Sequence, residues 1–242
     1  MIAIVLTGHM RTYERYYKYL ILLKKCISAD IYIHTWDDLD SMTTSSNPIR
    51  LYNKGKKIDR NKIIDLYKPE DIIIEEQNIQ NKELLWNYGP QSYYGMMSCY
   101  YSWFTCYNLM ENNNKKYNIV IKIRPDVYIY EKFLEKINNY INLLDEYDIV
   151  IFCMDVKNNK TFTNYPIGCD IFFMGKTEKM KILCNYYNHY DKINKNLKDN
   201  KYNTPEEVYW EQYVLKYKLK IKYVINYKKE WHLQQSYNNN EC

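Results

Sequence analysis

In the stretch VIKIRPDVYIY, residues 120–130, a strand-forming run carries Arg124, Pro125 and Asp126 into what would otherwise be continuous core. A guanidinium and a carboxylate two residues apart can neutralise each other as a buried ion pair. Alternatively, the carboxylate can hold a divalent cation whose other ligands are substrate phosphates, since such hard cations use few protein carboxylates. Pro125 has no N–H for a strand ladder, so the chain is expected to leave the sheet there. Asp126 would then stand at the rim, facing an open crevice, with Arg124 beside it.

A second group is TGHMRT, residues 7–12, which ends an apolar β-branched run. Gly8 allows a close backbone approach, and a helix opening after Thr12 would aim N–H groups at an anion. Arg11 can make a forked phosphate contact. One glycine does not make a GxGxxG or GxxxxGK loop, so a tight turn with a surface arginine is the competing reading. Further on, His34 is either a core histidine bonded to backbone or a ligand. Asp37 and Asp38 either cap a helix or face solvent. Asp170, beside Gly168 in GCDIFFMG, is either a loop acid or a catalytic one. Glu206 and Glu207 follow Thr204 and Pro205, where first-turn acids are favoured by the helix dipole. His232, between Trp231 and Leu233, is the only histidine in the tail and could close over a metal site.

Positioning these residues takes strands alternating with helices. IAIVLTG, DIYIHTW (30–36), DIIIEE (71–76), NIVIKI, DIVIFCM, CDIFFMG and LKIKYVI read as strands. Residues 13–26, 62–67, 91–110, 132–144, TEKMKILCNYYNHY and TPEEVYWEQYVLKY read as helices, the last with Thr204 as N-cap and Pro205 at the first helical position. Residues 38–60 read as a long loop. The alternation predicts a single α/β domain, residues 1–227, with a mostly parallel central sheet covered by helices on both faces, followed by a polar tail, 228–242. In such sheets ligands sit outside the carboxyl ends of the strands.

The chain's 242 residues, 46 % hydrophobic, suffice for one sizeable core. Its net charge of +5, from 34 basic and 29 acidic residues, lacks the dense basic face of a nucleic-acid binder but suits a phosphate-bearing substrate. Seven cysteines without a CxxC pair, six of them (Cys26, Cys99, Cys106, Cys153, Cys169 and Cys184) among apolar neighbours, read as reduced core thiols. They point to a reducing, cytoplasmic compartment. No apolar run is long enough to span a bilayer.

TGHMRT, DIYIHTWD, the aromatic segment before YNIVIKIRPDVYI, and CDIFFMG followed by TPEEVYWEQYV together resemble a GT-A-type glycosyltransferase of the small viral and bacterial surface-polysaccharide kind. The resemblance runs from Ile2 to about Leu215. It implies a GT-A-like (Rossmann-like) domain, a nucleotide-diphosphate sugar as donor, a glycan or polysaccharide hydroxyl as acceptor, and Mn²⁺ or Mg²⁺ as cofactor. Thr7, Gly8, Arg11, Thr12 and Arg124 would then lie by the nucleotide. Asp126 would stand in the metal-binding Asp-x-Asp place, with His232 as a second ligand, and Asp170 or Glu206 would serve as acceptor-binding or base residue. The match departs from the family at Asp126-Val127-Tyr128, which has one acid where the signature has two. Transfer of another phosphoryl-linked group, or a non-catalytic nucleotide- or sugar-binding module, are the alternatives. If Asp126 holds the donor, Asp126→Ala abolishes transfer and leaves the fold intact.

Overall fold

The computed structural model describes residues 1–40, 53, 55–78, 87–88, 91–154, 171–189, 216–226 and 230–233. In chain order these form β1 (Ile2–Thr7), α1 (Tyr13–Cys26), β2 (Ala29–Trp36), α2 (Arg60–Tyr67), β3 (Asp71–Glu75), β4 (Asn87–Tyr88), β5 (Gln91–Ser92) and α3 (Tyr93–Glu111). There follow β6 (Ile119–Ile123), β7 (Val127–Ile129), α4 (Glu131–Asn142), β8 (Ile149–Met154), β9 (Phe172–Lys176), α5 (Thr177–Cys184), β10 (Ile221–Asn226) and β11 (Trp231–Leu233).

Seven strands make one sheet in the order β10-β8-β9-β6-β1-β2-β3. The β1–β2, β1–β6, β2–β3 and β8–β10 pairs are parallel, and β9 runs antiparallel to both neighbours. Side chains alternate between two buried faces, as a sheet covered on both sides requires. Ala3, Val5, Tyr32, Val120, Ile151 and Phe173 pack under α3 and α5. Ile4, Leu6, Ile31, Ile33, Ile121 and Phe172 pack against α1, α2 and α4. The predicted α/β fold, Rossmann-like and mostly parallel, is therefore the observed one.

Chain reversal between helix directions sets the site. From β1 the chain passes through α1 to β2 and then β3 on one side, whereas β6 lies on the other side of β1. The β1–β6 boundary is thus a topological switch point, and in open α/β sheets the carboxyl ends at such a point are the usual place for a ligand. Pro125 acts as expected. β6 ends at Ile123, a turn closed by Val127 N–H to Arg124 C=O follows, and β7 leaves the main sheet. β7 pairs instead with β11, with His232 opposite Tyr128, so residues 231–233 of the predicted polar tail form a strand beside the site.

Two further details differ from the sequence reading. The segment beginning at Gln91 opens with the β4–β5 pairing before α3 starts at Tyr93. Cys26, expected in the core, is exposed at the end of α1, whereas Cys106 and Cys184 are buried and Cys99 is partly so. All four are free thiols. Among the described residues no helix is long and apolar enough to cross a membrane.

Sheet and α5 meet closely at Gly175 in β9, where an added Cβ would lie 2.8 Å from the Asp148 carbonyl oxygen and 3.2 Å from Met180 Cγ. Both are held by surrounding structure, so Gly175→Ala is expected to cost about 1–3 kcal/mol through overpacking. Urea unfolding of the variant measures it.

Candidate functional site

At the carboxyl end of β1 the backbone turns at Gly8 with φ +115°, a conformation that L side chains rarely adopt. A Cβ there would lie 3.9 Å from Pro125 Cδ, so the TGHMRT turn and the RPD turn touch across the switch point. Gly8 N–H also bonds His34 C=O at 3.4 Å, tying the turn to the end of β2. Thr12 is the N-cap residue of α1 but makes no side-chain cap. Its Oγ1 and that of Thr7 are buried without a hydrogen-bond partner among the described residues. Tyr13 N–H donates to Met10 C=O and Arg15 N–H to Thr12 C=O, so the opening turn uses part of the donor set expected to face an anion.

Four charged side chains converge here. Arg124 grips Asp126 with a fork, Nε to Oδ1 at 3.0 Å and Nη2 to Oδ2 at 2.7 Å. Arg11 donates from Nη1 to the same Oδ2 at 3.3 Å and from Nε to Asp40 Oδ1 at 2.7 Å. The side chains of Asp126 and Asp40 are 1 % and 0 % exposed, against 18 % for Arg124 and 10 % for Arg11. Burial alone would raise the Asp126 pKa, but Arg124 and then Arg11 outweigh it and hold the carboxyl below its ordinary value. Asn53 Nδ2 donates to Arg11 C=O at 3.0 Å and steadies the loop carrying the guanidinium.

This corrects one expectation. Asp126 is at the carboxyl end of β6 as predicted, but it is sealed by two guanidiniums rather than presented to an open crevice. Both of its oxygens accept charged N–H donors, and among the described residues no three His, Cys, Asp or Glu side chains are grouped to hold a metal ion. The arrangement around Asp126 does not fit a cation ligand. His232 has its backbone paired with Tyr128, two residues from Asp126. Asp170 and Glu206 lie outside the described residues, although Ile171, next to Asp170, accepts from Arg124 N–H at 3.2 Å.

Sequence reading did not single out Asp40, whose partner is 29 residues away, nor give His9 a role. His9 Nδ1–H donates to Asp38 C=O at 3.2 Å, which leaves Nε2 as an acceptor. Burial first, then the neighbouring Arg11, lowers its pKa to about 4. Asp37 and Asp38 neither cap a helix nor stand alone, since both pair with Lys57. His34 is a core histidine as one reading had it, but it bonds side chains instead of backbone. Nε2–H donates to Glu75 Oε1 at 2.8 Å, and Nδ1 bonds Ser102 Oγ at 2.7 Å. His34 is buried under α3 and Glu75 reaches the surface, so the group joins β2, β3 and α3 just below the Gly8 turn.

No protein-family model matches the sequence, and no curated protein does. Among solved structures the chain is similar to the 4-diphosphocytidyl-2C-methyl-D-erythritol synthase of Anaerococcus prevotii, at 9 % identity and a TM-score of 0.48, over 98 % of this chain and 91 % of that one. It is also similar to the inositol-1-phosphate CTP transferase of T. maritima, at 12 % and 0.45, over 97 % and 89 %. A glycosyltransferase involved in glycosylation of the major capsid of PBCV-1 matches at 14 % and 0.45, over 93 % and 82 %. At such identities and scores these are likenesses of overall shape, and no activity is drawn from them.

Two outcomes follow from the geometry. Asp126→Ala removes the carboxylate that two guanidiniums share in a buried site, so a loss of about 3–5 kcal/mol is expected on urea unfolding. For His9, the native pKa of about 4 lies below the unfolded value of 6.5. Between those values only the unfolded chain binds the proton, so stability falls as pH drops from 6.5 towards 4 and is unaffected by His9 above that range. The loss reaches about 3 kcal/mol at most, and His9→Gln, compared with wild type in urea titrations at several pH values, should remove that part of the slope.

Proposed function

We propose that the protein is a glycosyltransferase that moves a sugar from a nucleotide-diphosphate donor to a glycan or polysaccharide hydroxyl. The observation that carries this reading is the meeting of Arg11 and Arg124 across the β1–β6 switch point, beside the Gly8 turn. The carboxyl ends at such a boundary are where α/β sheets bind ligands, and guanidinium is the side-chain group best matched to phosphate oxygens. The motif resemblance names the class of ligand, and the mild basic surplus agrees with a phosphate-bearing one.

In the reaction the acceptor oxygen forms a bond to the anomeric carbon. The bond from that carbon to the diphosphate oxygen breaks, and its electron pair leaves with the phosphate. Charge develops on the leaving diphosphate, so donors fixed beforehand at that place lower the barrier. Arg11 and Arg124 are assigned this part, with Thr7, Gly8 and Thr12 lining the turn against which the nucleotide rests. The hydroxyl proton passes to a carboxylate, for which the resemblance offers Asp170 or Glu206.

The sealing of Asp126 is the observation that favours the second reading, a binding module without turnover. Incubation with a panel of UDP-, GDP- and CMP-sugars, with and without Mn²⁺, separates the two. Release of nucleotide from at least one diphosphate donor is expected. Binding of nucleotide with no turnover of any donor would establish the module instead. Arg11→Lys keeps the charge beside buried Asp40 but loses the fork, and donor affinity measured by calorimetry should fall about tenfold. Unchanged affinity would remove Arg11 from the donor site.

A further inference from the structure

We infer that Asp126 is an autoinhibitory anion: its carboxylate occupies the guanidinium donors of Arg11 and Arg124 that a substrate diphosphate takes, and the diphosphate binds by displacing it as the β7–β11 ribbon opens. The inference rests on the reading that the β1–β6 switch point receives a diphosphate, and it assigns what keeps that place shut.

Geometry makes the case. A guanidinium meets carboxylate and phosphate with the same planar fork, two parallel N–H donors aimed at two oxygens. On Arg124 the Nε–Nη2 fork is spent on Asp126, Oδ1 at 3.0 Å and Oδ2 at 2.7 Å. Arg11 gives Nη1 to the same Oδ2 at 3.3 Å and Nε to Asp40 Oδ1 at 2.7 Å. These donors are thus bonded to an acid of the chain itself, whose side chain is 1 % exposed. A phosphate that uses them must take the place of Asp126.

The turn that carries Asp126 lies between β6, in the main sheet, and β7, outside it. β7 pairs its three residues with the three of β11, and a two-stranded ribbon of that size is marginal by itself. Helices on either side hold it: Glu230, next to β11, accepts from Lys136 Nζ and Tyr140 OH of α4, and Tyr128 packs on Tyr16 and Tyr19 of α1. Releasing the turn therefore disturbs a short ribbon and leaves the seven-stranded sheet paired, the kind of local opening that lies below global unfolding. A ligand that binds only the open form loses affinity in proportion to the open fraction. The Asp126 contact lowers diphosphate affinity in this way.

The test uses the full chain and inorganic pyrophosphate, titrated by calorimetry in EDTA. Asp126→Asn is expected to bind at least about tenfold more tightly than wild type, the scale of one charge-assisted bond removed from the closed form. Asp37→Asn deletes a nearby carboxylate that pairs with Lys57 and not with the arginines, and is expected to change affinity less than about twofold. Equal or weaker binding by Asp126→Asn, or an equal gain in Asp37→Asn, would overturn the inference and leave the donor reading standing. No binding by any folded form would overturn both. In wild type, saturating pyrophosphate should speed hydrogen exchange of residues 124–130, whereas a ligand resting on the closed turn would slow it. Slower or unchanged exchange there sinks the displacement, and this measurement decides if Asp126→Asn does not fold.

Discussion

Everything at the head of the sheet depends on one carboxylate that two arginines share. Removing Asp126 and Asp40 from water costs several kcal/mol per ion after relaxation, and only close, well-aimed partners return it. The structure meets that condition with the Arg124 fork on Asp126 and with Arg11 bridging Asp126 to Asp40. Among the described residues, each of the two buried carboxylates thus has a guanidinium within hydrogen-bond distance. Because Arg11 follows β1, Asp40 follows β2, and Arg124 and Asp126 follow β6, the ion pairs also fasten three strand ends together. The same contacts that permit burial therefore set the geometry of the three strand ends.

Around that cluster the fold contributes rigidity in layers. Parallel pairing in register brings Thr7 opposite His34 and Leu6 opposite Ile123, so the three turns emerge at one height. Below them, His34 ties Glu75 on β3 to Ser102 on α3, a polar link beside the aromatic layer. Lys122, fully buried one residue before the end of β6, places its ammonium 4.8 Å from the Trp103 ring centroid and 5.5 Å from that of Phe173. Aromatic faces of this kind compensate a desolvated cation in part. The tyrosines and the one tryptophan of α3 thus have a structural use, because rings fill space and soften the cost of charged groups near the strand ends.

Much of this was legible from the chain because short-range rules carried it. The β-branched run ended by Gly8, the helical spacing after Thr12 and the proline stop after Arg124 each reflect one residue's own stereochemistry, and β1, α1 and β6 fall where those rules put them. The rim position of residues 7–12 and 124–126 follows from strand order. What did not read from sequence are the pairings that span the chain: Arg11 to Asp40 across 29 residues and to Asp126 across 115. No periodicity encodes them, and a carboxylate beside an arginine has the same local signature whether it ends sealed or solvated. The two-stranded β7–β11 ribbon escaped for a related reason. Three residues in a polar tail carry too little pattern to announce a strand, and only the partner at Val127–Ile129 makes them one.

The departure from Asp-x-Asp and the sealing of Asp126 have one physical cause. The position at which the signature has its second acid is Tyr128, the middle residue of β7. Its ring centroid lies 4.2 Å from that of Tyr19 and 5.8 Å from that of Tyr16, both on α1, and 4.6 Å from that of Tyr130. An acid there would replace this aromatic packing with a charge beside the apolar side of α1, between the fully buried Val127 and Ile129. With Tyr128 committed to α1, β7 is drawn in and pairs with β11, and the turn before it points Asp126 inward against Arg124 and Arg11. A metal-holding pair would need the turn to face outward with two carboxylates side by side, free of guanidinium partners. The opposite arrangement holds at both positions: Asp126 is buried against Arg124 and Arg11, and Tyr128 packs on Tyr16 and Tyr19.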